Sequence, residues 1–405
     1  MNSTITQTYT SGNINSKSDF YIEYTPTNLN GIILNIHSKS IILHGKKLKE
    51  IIHLTLYDLG INKCKIDVID NGGQYFVLQA RIEAAIKLAN PNLILESLPK
   101  IKKHSTYKSS RERLRRSRLY IPGNQAKLML NAGIHKPDGI ILDLEDSVSQ
   151  SEKSSARIIV RNALRQLNFF NAERMVRINQ GDLGLSDLKS IIPHNVHLIL
   201  IPKVENAQEL IKIDKHIIEI SKKCGREDDV YLMPILESAT GILNAFEIAN
   251  ASKNNVGIAI GLEDYTADIG VERTNEGKES LFARSQLINA ARSANIQAID
   301  TVFSDVNDEK ALRNSVKETK YLGFDGKGCI HPRQIKPIHE ELAPTKTQIE
   351  KAKKIVLAYD EAKKNDLGVV SLGSKMIDPP VVKRALNIIK IATAMNLLTK
   401  TWKQK

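Results

Sequence analysis

Between residues 119 and 332 the chain alternates apolar runs with helical patterns, and this alternation is the strongest constraint on its fold. Eight strand-like runs occur, at residues 119–123, 139–145, 174–179, 197–205, 231–237, 256–264, 296–304 and 326–332. Continuous apolar runs are typical of buried parallel strands, and helices between them favour βαβ connections. A doubly wound sheet would usually show a glycine-rich phosphate loop after its first strand, and that loop is missing. We therefore predict an α/β fold, a (β/α)8 TIM barrel.

Charged side chains stand at the carboxyl ends of several of these runs. A (β/α)8 barrel places its chemistry at that rim, so the sequence predicts an active site there. The side chains concerned are Glu145, Asp146, Arg177, Lys203, Glu205, Glu237, Glu263 and Asp264.

Glu237 and Asp264 end the fifth and sixth runs, so we expect their carboxylates to be neighbours at the barrel mouth. Two oxygen ligands without His or Cys beside them suit Mg2+ or Mn2+, with positions left for water and substrate. The alternative is that strand-end acids cap the following helices, as Asp146 and Glu237 could do.

Arg177, at the end of the third run, could present a two-pronged donor to a substrate carboxylate. An ion pair with Glu145 or Glu205 is the alternative. We interpret Glu145 and Asp146 as partners of this arginine or of metal-bound water. Arg116, just before the first strand, is expected to bind an anionic group in the same way.

A divalent ion and an arginine facing a keto acid favour carbon–carbon cleavage beside a carbonyl, because both stabilise the negative charge that develops. Metal-assisted enolisation and phosphoryl chemistry fit the pattern as well, so the residues alone leave the reaction open.

The flanking segments predict three further parts. Residues 1–95 read as a small α+β domain with strands at 20–26, 31–38 and 65–70, helices at 47–60 and 79–90, and a turn followed by a strand at 71–79. Residues 96–115 read as a linker, and the barrel spans 116–335. Residues 336–405 read as a C-terminal helical extension with a break at 368–380.

The net charge of +13 is concentrated, since residues 96–118 carry nine Lys or Arg against two Asp or Glu. We interpret this segment as a solvated basic tether, with steering of a phosphate-bearing substrate arm as an alternative. Nucleic-acid binding is disfavoured because no zinc finger or RNP-type motif accompanies the charge. The three cysteines lack metal or disulfide spacing, and neither a signal peptide nor a membrane-span pattern is evident, so a cytoplasmic protein is expected.

Residues 116–395 closely resemble the citrate lyase beta subunit, the citryl-thioester lyase of the malyl-CoA lyase and HpcH/HpaI aldolase group. The resemblance rests on motifs such as DLEDSV, VRIN, PKVE, ILES and LGFDGKGCIHPRQI. It implies that Arg177 binds a substrate carboxylate, that Glu237 and Asp264 bind Mg2+, and that Arg116 lies near the mouth. It also implies that Asp378 of a neighbouring subunit acts as acid or base at the acetyl carbon.

The first domain resembles the citrate lyase gamma subunit, an acyl carrier protein, in its glycine-containing loop and in the segment DNGGQYFVLQARIEAAIKLA. This resemblance implies a phosphoribosyl-dephospho-CoA arm attached to a loop serine. Counting from Gly12 selects Ser16, whereas counting back from Asp19 makes Ser18 possible.

Together the two resemblances imply a carrier–lyase fusion that cleaves a citryl thioester to oxaloacetate and an acetyl thioester by a Mg2+-dependent retro-Claisen reaction. A separate alpha subunit, the citrate:acetyl-ACP transferase, is an expected partner, and a homo-oligomer, trimer or hexamer, is expected. The alternatives are a lyase acting on free malyl-CoA or citramalyl-CoA and a non-catalytic carrier or nucleic-acid scaffold on a degenerate barrel.

Overall fold

The computed structural model describes residues 7–364, 370–372 and 375–404. Its N-terminal part is a four-stranded sheet with strand order β1-β2-β4-β3, in which β3 and β4 are parallel and the other pairs antiparallel. This confirms the predicted α+β unit. Its elements are β1 (Tyr9–Ser11), β2 (Phe20–Pro26), β3 (Gly31–Ser38), α1 (Ile41–Asp58), β4 (Lys63–Asp70) and α2 (Tyr75–Ala89).

One element of this unit differs from the prediction. The segment expected to be a turn followed by a strand, residues 71–79, instead leads into the first turns of α2. Residues Phe76–Ile86 of α2 are all buried, so the helix is covered on every side. The helix begins with the apolar run Tyr75–Leu78, and so short a run cannot be told from a buried strand by periodicity alone.

The basic segment 96–115 is attached to the barrel and is not the free tether that was expected. Ser97, Ser105 and Arg115 are buried, and the Lys102 amide donates to the Arg165 carbonyl at 2.9 Å. The Arg115 guanidinium forms a fully buried ion pair with Glu173 at 2.7 Å. The segment packs against the barrel because acceptors there bind arginines such as Arg111 and Arg115. The lysines at positions 100, 102 and 103 are exposed, so this part of its charge is solvated.

Eight parallel strands close into a barrel, as predicted. Their register brings the carboxyl ends of neighbouring strands to one rim, with Asp143 opposite Arg177 and Ile201 opposite Pro234. Residues such as Ile141, Met175 and Leu200 fill the interior. The strands are β5 (Ser117–Pro122), β6 (Gly139–Asp143), β7 (Glu173–Arg177), β8 (Leu198–Ile201), β9 (Tyr231–Leu236), β10 (Gly257–Ile260), β11 (Gln297–Asp300) and β12 (Gly326–Cys329).

Helices follow the strands around the barrel. Several have side-chain caps: Asn206 accepts from the Glu209 amide and Asp308 from the Ala311 amide, which satisfies free donors at the helix starts. The helices are α3 (Ala126–Leu130), α4 (Lys153–Gln166), α5 (Gly181–Ile191), α6 (Ala207–Lys223), α7 (Ala239–Leu243), α8 (Ala245–Asn250), α9 (Leu262–Asp268), α10 (Leu281–Ser293), α11 (Glu309–Leu322) and α12 (Ile335–Leu342).

The C-terminal extension has its own small apolar core, in which Val356 packs with Val382 and Ile389. Its elements are α13 (Lys346–Lys364), β13 (Val370–Leu372), β14 (Lys375–Ile377) and α14 (Pro379–Ala394). The expected break at 368–380 contains the β13–β14 pair, and its residues 368, 369, 373 and 374 lie outside the described residues. Among the described helices, none combines the length and apolar character of a membrane span.

Candidate active site

Five charged groups meet at the carboxyl ends of five consecutive strands. Asp143 ends β6, Arg177 ends β7, Lys203 follows β8, Glu237 follows β9, and Asp264 lies in the first turn of α9 after β10. The parallel register places these ends side by side, as the sequence predicted for Arg177, Glu237 and Asp264.

Glu237 is a buried acid of the mouth, with 6% of its surface exposed. Its Oε2 accepts a hydrogen bond from the Lys203 backbone amide at 2.9 Å. Burial raises the pKa of Glu237 to about 7, and the charges of Asp264 and Glu145 act in the same direction while Arg177 opposes them. The positive charge that the protein places near Glu237 is therefore too small to offset the cost of burying its ionised carboxylate.

Arg177 is held by Asp143 through two hydrogen bonds, Nε to Oδ1 at 2.6 Å and Nη2 to Oδ2 at 2.8 Å. Its Nη1 also pairs with Glu145 at 3.0 Å, and its guanidinium lies over the Tyr120 ring, 5.3 Å from the centroid. Burial alone would lower the pKa of Arg177, but the bonds to Asp143 outweigh it and raise the pKa. The ion pair with Glu145 that sequence reasoning offered as an alternative is thus present.

Lys203 links the acidic side chains from opposite sides of the mouth. Its ammonium lies 3.3 Å from Glu145, 3.6 Å from Asp146 and 3.6 Å from Asp264. Its backbone has φ 53°, a left-handed conformation that is uncommon outside glycine. Through its amide and its ammonium, this residue contacts both Glu237 and Asp264.

The site suits a divalent cation. Glu145 and Asp264 flank the buried Glu237, and burial also raises the pKa of Glu145. A Cβ at Gly261 would lie 2.4 Å from Glu237 Oε1, so glycine there leaves room for the carboxylate. In the described part of the chain no group of three His, Cys, Asp or Glu side chains is placed to hold a metal ion. Two carboxylates with open positions match the oxygen-rich, partly hydrated coordination of Mg2+.

Sequence reasoning gave no role to Asp143, Lys203 or Gly261. Asp143 is the last residue of an apolar run and has the same parity as the inward-facing Ile141, so strand alternation could have placed it inside the mouth. The left-handed backbone of Lys203 and the close approach at Gly261 leave no comparable sequence signal.

Arg116 does not lie at this site, which contradicts its expected placement. It precedes β5, at the amino end of the barrel, where its Nε and Nη2 bond Asp138 at 2.8 Å. Asp138 precedes β6 at the same end. The catalytic rim of a parallel barrel lies at the carboxyl ends, so an arginine that comes immediately before a strand lies on the opposite face.

Asp378 is not brought to the mouth within this chain. Its carboxylate accepts from the Val381 amide at 3.1 Å and caps α14, and the far half of α14 reaches the basic segment through an ion pair between Lys390 and Glu112. A role of Asp378 in chemistry would require a second copy of the chain.

The two candidate serines lie on the loop between β1 and β2. The Ser16 amide donates to the Asn13 carbonyl at 3.0 Å and closes an exposed turn. Ser18 has φ 59°, and its amide donates to the Asn71 carbonyl at 2.9 Å. Asp19 next to it is buried.

A family model described as HpcH/HpaI aldolase/citrate lyase matches residues 116–332, which span all eight barrel strands. The chain belongs to this family. It is accordingly a carbon–carbon lyase of the citrate lyase beta type. A second model, described as malonate decarboxylase delta subunit (MdcD), matches residues 6–89, so the HpcH/HpaI barrel of this chain is preceded by an acyl-carrier-like domain.

Relatives of this lyase match 69% of the chain. The chain is 44% identical over 283 residues to citrate lyase subunit beta of Haemophilus influenzae, which is 69% of this chain and 97% of that protein. It is 32% identical over 297 residues to the mitochondrial citramalyl-CoA lyase of Rattus norvegicus, 69% and 87% respectively. A solved structure of protein CitE from Mycobacterium tuberculosis in complex with magnesium, acetoacetate and coenzyme A matches with TM-score 0.57 and 26% identity, covering 70% of this chain and 99% of that one.

Proposed function

We propose that this lyase cleaves a citryl thioester carried on its own N-terminal domain, releasing oxaloacetate and leaving an acetyl thioester. The observation that carries the proposal is the Glu237–Asp264 pair beside Arg177 at the barrel mouth, in a chain that also contains an acyl-carrier-like domain. The carbon–carbon bond between the hydroxyl-bearing carbon and the acetyl methylene breaks. The hydroxyl proton leaves as the ketone of oxaloacetate forms, and the acetyl carbon takes up a proton.

Glu237 and Asp264 would hold Mg2+, and the bound ion would stabilise negative charge on the substrate oxygens. The raised pKa of Glu237 supports this assignment, because a nearby cation favours the ionised carboxylate that burial disfavours. The CitE structure with magnesium supports it independently, since that protein is a relative of this chain.

The other residues of the mouth bind and orient the substrate. Arg177 would receive a substrate carboxylate, while Asp143 fixes the plane of its guanidinium. Asp378 from a neighbouring copy would exchange the proton at the acetyl carbon. This step makes a homo-oligomer, a trimer or hexamer, part of the proposal. Arg116 has no part in substrate binding, given its position at the opposite end.

Ser16 is the proposed attachment point of the phosphoribosyl-dephospho-CoA arm. Its turn is exposed at Asn13–Asn15, which gives a modifying transferase access. Ser18 is less suited, because its backbone is held in a left-handed conformation against Asn71 next to the buried Asp19. A separate alpha subunit would exchange the acetyl group on the arm for a citryl group, with release of acetate, and the complex would work in the cytoplasm.

The rival function is a lyase for free CoA thioesters, favoured by the similarity to citramalyl-CoA lyase and by the coenzyme A in the CitE structure. The test is the intact mass of the chain expressed with its modifying enzymes, followed by peptide mapping and assays with citryl-CoA and citramalyl-CoA. An adduct on Ser16 and Mg2+-dependent release of oxaloacetate are expected. An unmodified chain that turns over only citramalyl-CoA would establish the rival instead.

A further inference from the structure

We propose that the N-terminal domain stays docked on the barrel of its own chain during turnover and that only the prosthetic arm moves. The docking surface is α4 of the barrel, its partner is α2 of the carrier-like domain, and the serine loop is thereby fixed at the catalytic rim in cis. The catalytic meaning of this arrangement rests on the proposed function, whereas the docking itself does not.

A buried ion pair joins the two helices. The Arg161 guanidinium donates to both oxygens of Glu83, at 2.9 and 2.8 Å, and both side chains are fully buried. Arg161 also pairs with Glu96 at 2.8 Å, and Asn162 Nδ2 donates to the Phe76 carbonyl at 3.1 Å. Undocking would separate these charges. Because both charges would regain water on undocking, the pair adds little net affinity by itself, but it specifies how α2 and α4 align when they dock.

The apolar packing agrees with permanent docking. α2 lies against its own sheet on one side and against α4 on the other, and the eleven residues Phe76–Ile86 are all buried. Apolar side chains of α2 and α4, such as Ile82 and Ile159, belong to one continuous hydrophobic cluster. A two-layer domain exposes the outer face of its helices, so complete burial of α2 depends on the barrel.

Polar contacts then fix the serine loop at the catalytic end. Arg81 binds Asp19, at the end of the loop, through bonds of 3.0 and 2.7 Å, and its Nη1 donates to Ser155 Oγ at 2.8 Å. Ser11, at the start of the loop, lies 3.3 Å from the same Ser155 hydroxyl. Both ends of the loop are therefore attached to one residue of α4.

Ser155 lies in the first turn of α4, which follows the connection that carries Glu145 and Asp146. Lys153 in that turn donates to the backbone carbonyls of Leu144 and Glu145 at 2.8 and 2.5 Å. The loop that bears Ser16 and the acidic edge of the mouth are thus fixed to the same helix start. A fixed attachment point near the mouth raises the effective concentration of the arm without any motion of the domain.

The test is a covalent lock. Ser11→Cys and Ser155→Cys are introduced together with Cys224→Ser, since Cys224 is the exposed cysteine while Cys64 and Cys329 are buried. The full-length chain, carrying its arm, is cross-linked by oxidation or with a short bismaleimide. The readout is the ratio of oxaloacetate released from arm-bound citryl groups to that released from free citryl-CoA, before and after cross-linking. The reduced protein is the matched control.

The cross-link is expected to form readily and to leave the ratio unchanged within about twofold, because the arm alone moves. Loss of about tenfold or more in the ratio, restored by reduction of the disulfide, would show that the domain must swing and would overturn the proposal. Failure of both cross-linking chemistries would overturn it as well, since the two hydroxyl positions would then not be adjacent in solution.

Hydrogen exchange of the uncrosslinked chain gives a readout that does not depend on activity. Amides of α2 are expected to be protected as strongly as those of the barrel strands, and rapid exchange of α2 would contradict docking. A chain that releases no oxaloacetate but shows a protected α2 would refute the proposed function and leave the docking intact.

Discussion

The carboxylate of Glu237 occupies the space that a side chain at Gly261 would need, because a Cβ there would lie 2.4 Å from Oε1 and 2.7 Å from Cγ of Glu237. The backbone of Gly261 has φ −109°, which any residue can adopt. The glycine is therefore required for the room it leaves beside Glu237 rather than for its backbone freedom.

Gly261→Ala is expected to displace the Glu237 carboxylate and to lower kcat/KM by about 100-fold, since misplacement by an ångström can cost that much. Steady-state oxaloacetate release and Mg2+ titration calorimetry measure the effect. Gly270→Ala is the matched control, because nothing lies within 4 Å of its added Cβ, although its φ of 75° adds some strain. Equal losses in the two variants would refute a specific role for Gly261.

Mg2+ binding is expected to depend on pH through Glu237, whose pKa burial raises to about 7. Below that pH a proton competes with the ion, so the affinity for Mg2+ should fall by about tenfold per pH unit. Above that pH the affinity should be constant. Without metal, the raised pKa means that protonation favours the folded state, so this contribution to stability is lost as pH rises through about 7. Calorimetric titration from acid to alkaline pH measures the first effect. A pH-independent affinity in the wild type would contradict the prediction.

Asp143→Asn is expected to lower the free energy of unfolding by about 3 kcal/mol, because it leaves the buried Arg177 guanidinium without its main carboxylate partner. Oxaloacetate release should fall as well, since the Arg177 guanidinium is no longer held in one orientation by the Asp143 carboxylate. Asp146→Asn is the control, because Asp146 is about half exposed and lies 3.8 Å from Arg177. Urea unfolding of the two variants distinguishes them, and the prediction is wrong if both lose the same stability.

Glu83→Gln is expected to destabilise the chain by about 3–5 kcal/mol, because Arg161 would keep a buried charge with a weakened partner. Glu50→Gln, which removes an exposed pair with Lys47, should cost less than about 1 kcal/mol. Thermal and chemical unfolding compare them. A small effect of Glu83→Gln would indicate that water reaches the interface.

Arg118 presents the opposite case, a guanidinium inside the barrel that forms no ion pair with any carboxylate of the described residues. Its Nη1 contacts Met233 Sδ at 3.0 Å, its Nε has no partner, and burial lowers its pKa. Arg118→Met is expected to stabilise the fold by about 1–4 kcal/mol, because it removes a buried charge without breaking an ion pair. Arg115→Met, which breaks the pair with Glu173, should destabilise it. Unfolding curves that show a lower free energy of unfolding for both variants would contradict this interpretation of Arg118.

The sequence predicted the barrel well, because strands buried on both faces leave long apolar runs and helices separate them. It predicted that Arg177, Glu237 and Asp264 would meet, since parallel strands bring their carboxyl ends together. The division of the chain at residues 95, 115 and 335 stays a prediction. The prediction that Arg116 lies near the mouth was wrong, because a residue that precedes a barrel strand lies at the amino end of the barrel.

Features created by tertiary contact could not be predicted. The first turns of α2 read as a strand because α4 covers the helix face that would otherwise be polar. The attachment of the basic segment to the barrel could not be predicted because its partners, such as Glu173, are distant in sequence. The sequence placed Lys203 at the rim but did not indicate its contacts, since these follow from a left-handed backbone that no residue pattern indicates.

The pairing of Arg161 with Glu83 also bears on how such a protein can evolve. If the gene were split between carrier and lyase, each separate protein would expose one member of this ion pair and an apolar surface that is buried in the present chain. Both new surfaces would need repair at once, and a single substitution could not provide it. The covalent union of the two parts is thus protected by the chemistry of their contact, whatever advantage first brought them together.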